Sequence, residues 1–284
     1  MNKKIWLRRI AATFLLILAA FFGYKTYSYY HEMQSAANEF DDLSREFYKR
    51  EVDKGEAEID ISQNLALKDL QDKNSDTFGW IYIEGTVIDY PVMHTPNNLE
   101  YYLYRNFNKG YSSSGTPFLD GRCSADSDNM VIYAHNIQTG TMFADLHKYK
   151  DQEFFETYDE IVITMAGETR TYKVIAVLLS EVGAKNLDFA WFNYLTFADE
   201  DDFNEFVEQI EKHTLFETDL DVEYGDPFIT LATCSYHSNA GRIVVIGVET
   251  ERIEVPEEVE DEIEAIVEGQ EAADGENQVE IDNE

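Results

Sequence analysis

The chain has 284 residues, 44% of them apolar and 14% aromatic, which is enough for one or two domains with a sizeable core. Its formal net charge of −34 argues against nucleic acid as a partner. Fourteen acidic residues and no Lys or Arg fall between Glu254 and Glu284; the rest still carries about −20, a charge that favours solubility and says little about substrate.

The N-terminus places Lys3, Lys4, Arg8 and Arg9 before an apolar run from Ile10 to Tyr24, with Trp6 at one end and Tyr24, Tyr27, Tyr29 and Tyr30 at the other. Aromatic belts and a basic flank predict a spanning helix with residues 1–9 in the cytoplasm and the remainder outside. Ala19-Ala20 followed by two phenylalanines is a poor cleavage site, so an uncleaved anchor over 10–30 is expected rather than a signal peptide. Residues 31–75 are polar with Met33, Phe40, Leu43, Phe47, Leu65, Leu67 and Leu70 scattered among them, a pattern for a helical stalk and one or two packed helices, with breaks at Gly55 and Gly85.

From Gly79 the pattern becomes short β-rich runs. Trp80–Ile83, Val87–Val92, Thr116–Leu119, Asn129–Ala134, Ile161–Met165, Arg170–Ser180, Phe228–Thr233 and Arg242–Glu249 predict a barrel or sandwich. One helix interrupts them: Phe203, Phe206, Val207 and Ile210 share a face of 198–213, and Asp199 to Asp202 suit its N-terminus. A shorter helix is expected after His135, with Met142, Phe143 and Leu146 facing inward. Beyond Pro256 the tail is acidic and poor in aromatics, a solvated segment, although Val255 to Val267 could form a weak helix.

The most informative stretch is Thr230-Leu231-Ala232-Thr233-Cys234, an apolar strand ending on a cysteine. Seven residues, Ser235 to Gly241, separate it from a second strand that begins with Arg242. A hairpin would set thiol and guanidinium side by side at one sheet end. His135 ends a third apolar strand, Met130 to Ala134, and opens a polar loop. These are the parts for cysteine-based acyl transfer: a thiolate favoured by a nearby cation, a general acid/base, and a planar donor for an oxyanion. Singly, Cys234 could be a small buried hydrophobe and Arg242 a surface cation; together with His135 those readings lose ground. Of the other histidines, His31 and His213 read as solvated or structural, His147 as surface, His94 as a minor candidate, and His237 as a competitor only by its short sequence distance. A Cys123–Cys234 disulfide would consume the thiol that the motif presents, so it is not favoured. No zinc-like ligand spacing, phosphate loop or calcium loop appears, so neither metal nor cofactor is expected.

These residues resemble a sortase, most closely class B, over roughly residues 60–252. The strand Thr230–Cys234 matches the family's TLxTC motif. Val131-Ile132-Tyr133-Ala134-His135-Asn136, followed by Gly140-Thr141-Met142-Phe143 and Leu146, is similar to the class B histidine region. Arg242 matches the family arginine, Gly79 to Val92 and Tyr101-Tyr102-Leu103 the first strands, and the 198–213 helix the one carried between strands 6 and 7. The resemblance implies a closed eight-stranded β-barrel, mainly β, with N-terminal helices. It implies a single-pass, membrane-anchored cysteine transpeptidase of the bacterial cell surface whose catalytic domain is extracellular. Cys234 would attack the threonine carbonyl of a surface protein's C-terminal sorting signal and form a thioacyl-enzyme. His135 would act as general acid/base, Arg242 would hold substrate and oxyanion, and an amino group of the cell wall precursor or a pilin would accept the protein. Asn98, Leu103, Thr233 and Ser235 fall at groove positions, and no metal is implied. The implied layout is a cytoplasmic segment 1–9, anchor 10–30, stalk and helices 31–75, catalytic barrel 76–252 and acidic tail 253–284.

Two other readings remain at this point. An L,D-transpeptidase also uses Cys, His and Arg, but its signature puts Gly before the cysteine and Arg two residues after it; here Thr233 precedes Cys234 and Arg242 is eight residues on. A non-catalytic wall-binding barrel would not need Cys234.

Overall fold

The computed structural model describes residues 3–50, 56–181, 188–216, 218, 221–234 and 241–256. Eight strands form a closed barrel: β1 (Thr77–Tyr82), β2 (Asp89–Met93), β3 (Phe118–Leu119), β4 (Asn129–Tyr133), β5 (Glu160–Met165), β6 (Glu168–Glu181), β7 (Phe228–Cys234) and β8 (Gly241–Glu254). Their order around the wall is β1-β2-β3-β4-β7-β8-β6-β5, and β1 pairs with β5 to close it. Closure removes the exposed edges that an open sheet would leave. The ladder is mixed, with β2/β3 and β4/β7 parallel and the rest antiparallel. β6 and β8 pair over their whole lengths and shift register at Thr171/Tyr172 and Val174/Ala176, the kind of bulge that bends a strand around a barrel.

Strand boundaries follow the apolar runs. Met130, Val131 and Ile132 of β4 are fully buried because one side faces the barrel interior and the other the covering segments. β3 is shorter than expected: only Phe118 and Leu119 pair, while Thr116 turns its hydroxyl to the Arg105 carbonyl. β8 runs on to Glu254, where it still pairs with Glu168, so the ordered domain reaches past residue 252.

Among the described residues, four α-helices accompany the barrel: α1 (Lys3–Phe47), α2 (Glu56–Lys73), α3 (Gln152–Thr157) and α4 (Glu200–His213). α4 lies between β6 and β7 as expected. Its Phe203, Phe206 and Ile210 are buried, and the Asp199 carboxylate caps it by accepting from Asp202 N at 3.1 Å. The segment after His135 does wind, but as a 3₁₀ helix over Phe143–Lys150, with Met142, Phe143 and Leu146 buried.

The apolar segment and the first part of the stalk form one uninterrupted helix, and α2 follows it. The first proline of the chain is Pro91, so nothing breaks α1 over its 45 residues, about 67 Å. An 18-residue window within Trp6–Phe47 has a mean hydropathy of 1.6 and is unburied by the rest of the chain. Farther on, Met33, Ala36, Phe40, Leu43 and Phe47 recur at helical spacing and are buried against the barrel. Phe47 stacks on Trp80 at 4.4 Å, and the Asp89 carboxylate accepts from Ser44, Tyr48 and Trp80 at 2.7, 2.9 and 2.7 Å. The break expected at Gly85 is a left-handed turn, φ 72°, in the β1–β2 connection. Gly55, Ser235, His237 and the tail beyond Pro256 lie outside the described residues.

Away from these features, the far ends of β6 and β8 hold a charge cluster. Arg170, 3% exposed, pairs with Glu168, lies 3.8 Å from Glu249 and donates to the Ala125 carbonyl at 3.0 Å. Removing it would leave the largely buried Glu168 and Glu249 carboxylates with only the more exposed Arg252 to offset them. Arg170→Ala is expected to lower stability by about 3–5 kcal/mol in chemical denaturation; a loss below about 1 kcal/mol would show that the cluster is dispensable.

Candidate active site

Three adjacent strands deliver the expected triad to one level of the barrel. β4 and β7 are parallel, and Tyr133 pairs with Ala232. Two residues farther on in each chain direction come His135 and Cys234. β7 and β8 are antiparallel, and Cys234 pairs with Arg242. Opposite residues on neighbouring strands share a face, so the Cys234 and Arg242 positions are direct cross-strand neighbours.

The threonines of the Thr230–Cys234 strand secure that alignment. Thr230 donates to Asn129 Oδ1 at 2.8 Å, and Thr233 donates to the Ala134 carbonyl at 2.7 Å, one residue before His135. Ala134 N donates in turn to the Ala232 carbonyl at 3.3 Å. Thr233, expected in the groove, is instead 2% exposed with its hydroxyl committed to β4. Its β-branched side chain sits in a strand interior, where a buried hydroxyl requires a partner. Thr233→Val should cost about 1–2 kcal/mol, measured by urea unfolding, because the Ala134 carbonyl loses its side-chain donor; equal stability would show that this bond does not hold β7 to β4.

His135 is half-buried. Its Nε2 lies 2.8 Å from the Leu103 carbonyl, and the Tyr104 ring leans over it at 5.3 Å. A carbonyl can only accept, so Nε2 carries the proton and Nδ1 is the nitrogen left to exchange one. Burial lowers the imidazole pKa below its ordinary 6.5; the Leu103 carbonyl opposes that, and the positive charge of Arg242 adds to it. The Arg242 guanidinium is itself partly buried and donates from Nη1 to the Gly241 carbonyl at 2.9 Å.

Other expected residues fall into place unevenly. Leu103 lies in a 3₁₀ turn, Tyr101–Tyr104, and serves His135 through its backbone. Asn98 is exposed in the turn just before it, its carbonyl accepting from Thr95 Oγ1. Cys123 is a free thiol, 4% exposed, with Sγ against the Asn129 carbonyl at 3.6 Å; burial pushes its pKa up to about 11, which makes it a poor nucleophile. His94 sits beside Phe78, His147 bonds Asn136, and His213 bonds its own helix at the Gln209 carbonyl. Among the described residues no group of three or more His, Cys, Asp and Glu could hold a metal.

Sequence reasoning passed over Tyr104 and Gly115. Gly115 has φ 62°, and a Cβ there would lie 2.5 Å from the Leu103 carbonyl oxygen. The only signal available was a turn-like Ser112-Ser113-Ser114-Gly115 run, which says nothing of what it packs against.

Comparison with known proteins follows the same lines. Residues 81–250 match the Sortase domain family. Sortase B of Listeria monocytogenes is 30% identical over 185 residues, covering 64% of this chain and 72% of that protein. Sortase B of Staphylococcus aureus is 25% identical over 244 residues, 84% of this chain and 94% of the relative. A Cys-to-Ser mutant form of Clostridium perfringens sortase B aligns with a TM-score of 0.67 at 28% identity, over 76% of this chain and 98% of that one. The Staphylococcus aureus sortase B-substrate complex, 22% identical over 80% of this chain and 100% of that one, shares the fold at a TM-score of 0.66. With the family match spanning nearly the whole barrel and the relatives agreeing on its class, this chain belongs to the sortases, the family of cysteine transpeptidases, on their class B branch.

Proposed function

We propose that this sortase is a membrane-anchored transpeptidase that cleaves the C-terminal sorting signal of surface proteins after threonine. The Cys234 thiolate adds to the threonine carbonyl, and Arg242 stabilises the oxyanion with its planar donors. Collapse of the tetrahedral adduct expels the C-terminal peptide as an amine, which takes its proton from the His135 imidazolium. The resulting thioacyl-enzyme is opened by an incoming amino group of the cell wall precursor or a pilin. Neutral His135 takes that amine's proton, and the thiolate leaves. Asn98, Leu103 and Ser235 contribute to binding of the signal peptide. The N-terminal half of α1 crosses the membrane with residues 1–9 in the cytoplasm and the barrel outside.

The observation that supports the reading best is the register of β4, β7 and β8, which aligns His135, Cys234 and Arg242 along three neighbouring strands. The test is a screen of Pro-x-Thr-type peptides against the enzyme, with intact-mass detection. An acyl adduct mapped to Cys234, resolved by added amine, is expected. An adduct on Cys123, or cleavage without any adduct, would end the proposal.

A further inference from the structure

We propose that Glu39 on the stalk helix is a positioning residue for His135, acting through the hairpin that joins Leu103 to Gly115. The inference rests on the acid/base role of His135 proposed above.

The chain of contacts is short. Glu39 Oε2 accepts from Asn106 Nδ2 at 2.9 Å and Glu39 Oε1 from Asn108 Nδ2 at 3.0 Å. Asn106 uses its other amide atom, Oδ1, to accept from Gly110 N at 2.7 Å, so its amide is fixed at both ends. Two turns earlier on the same helix, Glu32 Oε1 accepts from Ser113 N at 3.0 Å, and Ser114 Oγ lies 3.5 Å from Met33 Sδ. The hairpin closes on itself where Arg105 bridges Tyr111. Its return limb takes up the carbonyls on either side of Leu103: Ser112 N donates to Tyr104 O and Thr116 N to Tyr102 O, both at 3.1 Å. Gly115 presses on the remaining one, the Leu103 carbonyl, as only a residue without Cβ can. That carbonyl holds His135 Nε2.

Helix α1 therefore grips the outer end of a rigid hairpin whose inner end sets the imidazole. Glu39 has two asparagine amides as its partners here, and both belong to the hairpin. Because α1 is one helix from the apolar segment to the barrel, its seating on the barrel is transmitted to the proton-transfer group. Among the described residues, Arg242 and Tyr104 also act on His135, and Glu39 bonds neither of them; the Cys234 thiol is the partner proposed above.

The test uses the full chain in nanodiscs and a fluorogenic Pro-x-Thr peptide. Glu39→Ala is expected to lower kcat roughly tenfold or more, the scale for a catalytic group loosened by a fraction of an ångström, with KM within about twofold of wild type. The pKa of the imidazole, read from the pH dependence of Cys234 alkylation by iodoacetamide, should move down, because the carbonyl bond favours the charged ring. Glu39→Gln keeps one acceptor oxygen and should fall between. Asn106→Ala with Asn108→Ala should reproduce Glu39→Ala, and the three combined should add nothing further. Glu208→Ala, on the exposed face of α4, is the control and should be unchanged. Rates are scaled to folded protein counted by burst titration. Unchanged kcat and pH profile in both Glu39→Ala and the asparagine double variant would overturn the inference, as would a loss explained wholly by fewer folded molecules. If His135→Ala itself keeps full activity, the acid/base reading fails; if it is inactive while Glu39→Ala is normal, only the positioning role fails.

Discussion

Cys234→Ala is expected to reduce cleavage of a sorting peptide by about 10⁴-fold or more, the scale seen when a member of a nucleophilic unit is removed. The backbone at this position is held by the β7/β8 ladder, so the variant should keep its fold and unfold at an unchanged temperature. Peptide should still bind, because Arg242 and the rest of the barrel remain. Cys123→Ala offers the matched contrast. That thiol lies in the core, with its pKa raised to about 11, and its loss should cost only the packing of one small side chain, on the order of 1 kcal/mol. Chromatographic cleavage assays on both variants separate the two cysteines. Near-normal turnover by Cys234→Ala would remove the nucleophile from the mechanism.

Arg242 offers the second large effect, because charge and shape can be separated there. Arg242→Ala should lower kcat/KM by about 10²- to 10³-fold as an oxyanion donor is lost. It should also raise the His135 pKa, since the guanidinium charge is one of the causes holding it below 6.5. Arg242→Lys keeps the charge but not the planar fork, so the rate should fall while the imidazole titration stays in place. pH–rate profiles of the two variants read both effects, and identical His135 titrations in Arg242→Ala and wild type would contradict the assignment. The same depressed pKa fixes the sign of a stability effect. Between the ordinary 6.5 and the lower folded value, the unfolded chain binds a proton that the fold does not. The contribution of His135 is therefore complete above about pH 6.5 and is lost as pH falls through the folded-state value.

The proposed reaction unit could be picked out because its three members each mark a strand boundary. Cys234 ends an apolar run, Arg242 begins one and His135 follows one, and strand boundaries are where side chains leave a packed ladder. The barrel was readable for a related reason: runs such as Met130 to Tyr133 and Ile243 to Val248 are apolar in succession, as strands covered on both sides must be. Groove residues were harder. Thr233 reads as a groove residue by its position beside Cys234, but it is buried and its hydroxyl bonds β4. Leu103 matters through its carbonyl, and a backbone atom leaves no mark in a residue pattern.

The sequence alone determined the element types, the apolar segment at the N-terminus, the helix between β6 and β7, and the choice of Cys234 over Cys123 as the thiol of interest. Those follow from local periodicity and from which side chains can do chemistry. Tertiary structure decided that α1 is one helix docked on the barrel, that Gly115 backs the Leu103 carbonyl, and that Glu39 holds the hairpin between them. Each of these joins residues through close contacts across separate elements, and such distances are set by how the elements pack rather than by the order of residues along the chain.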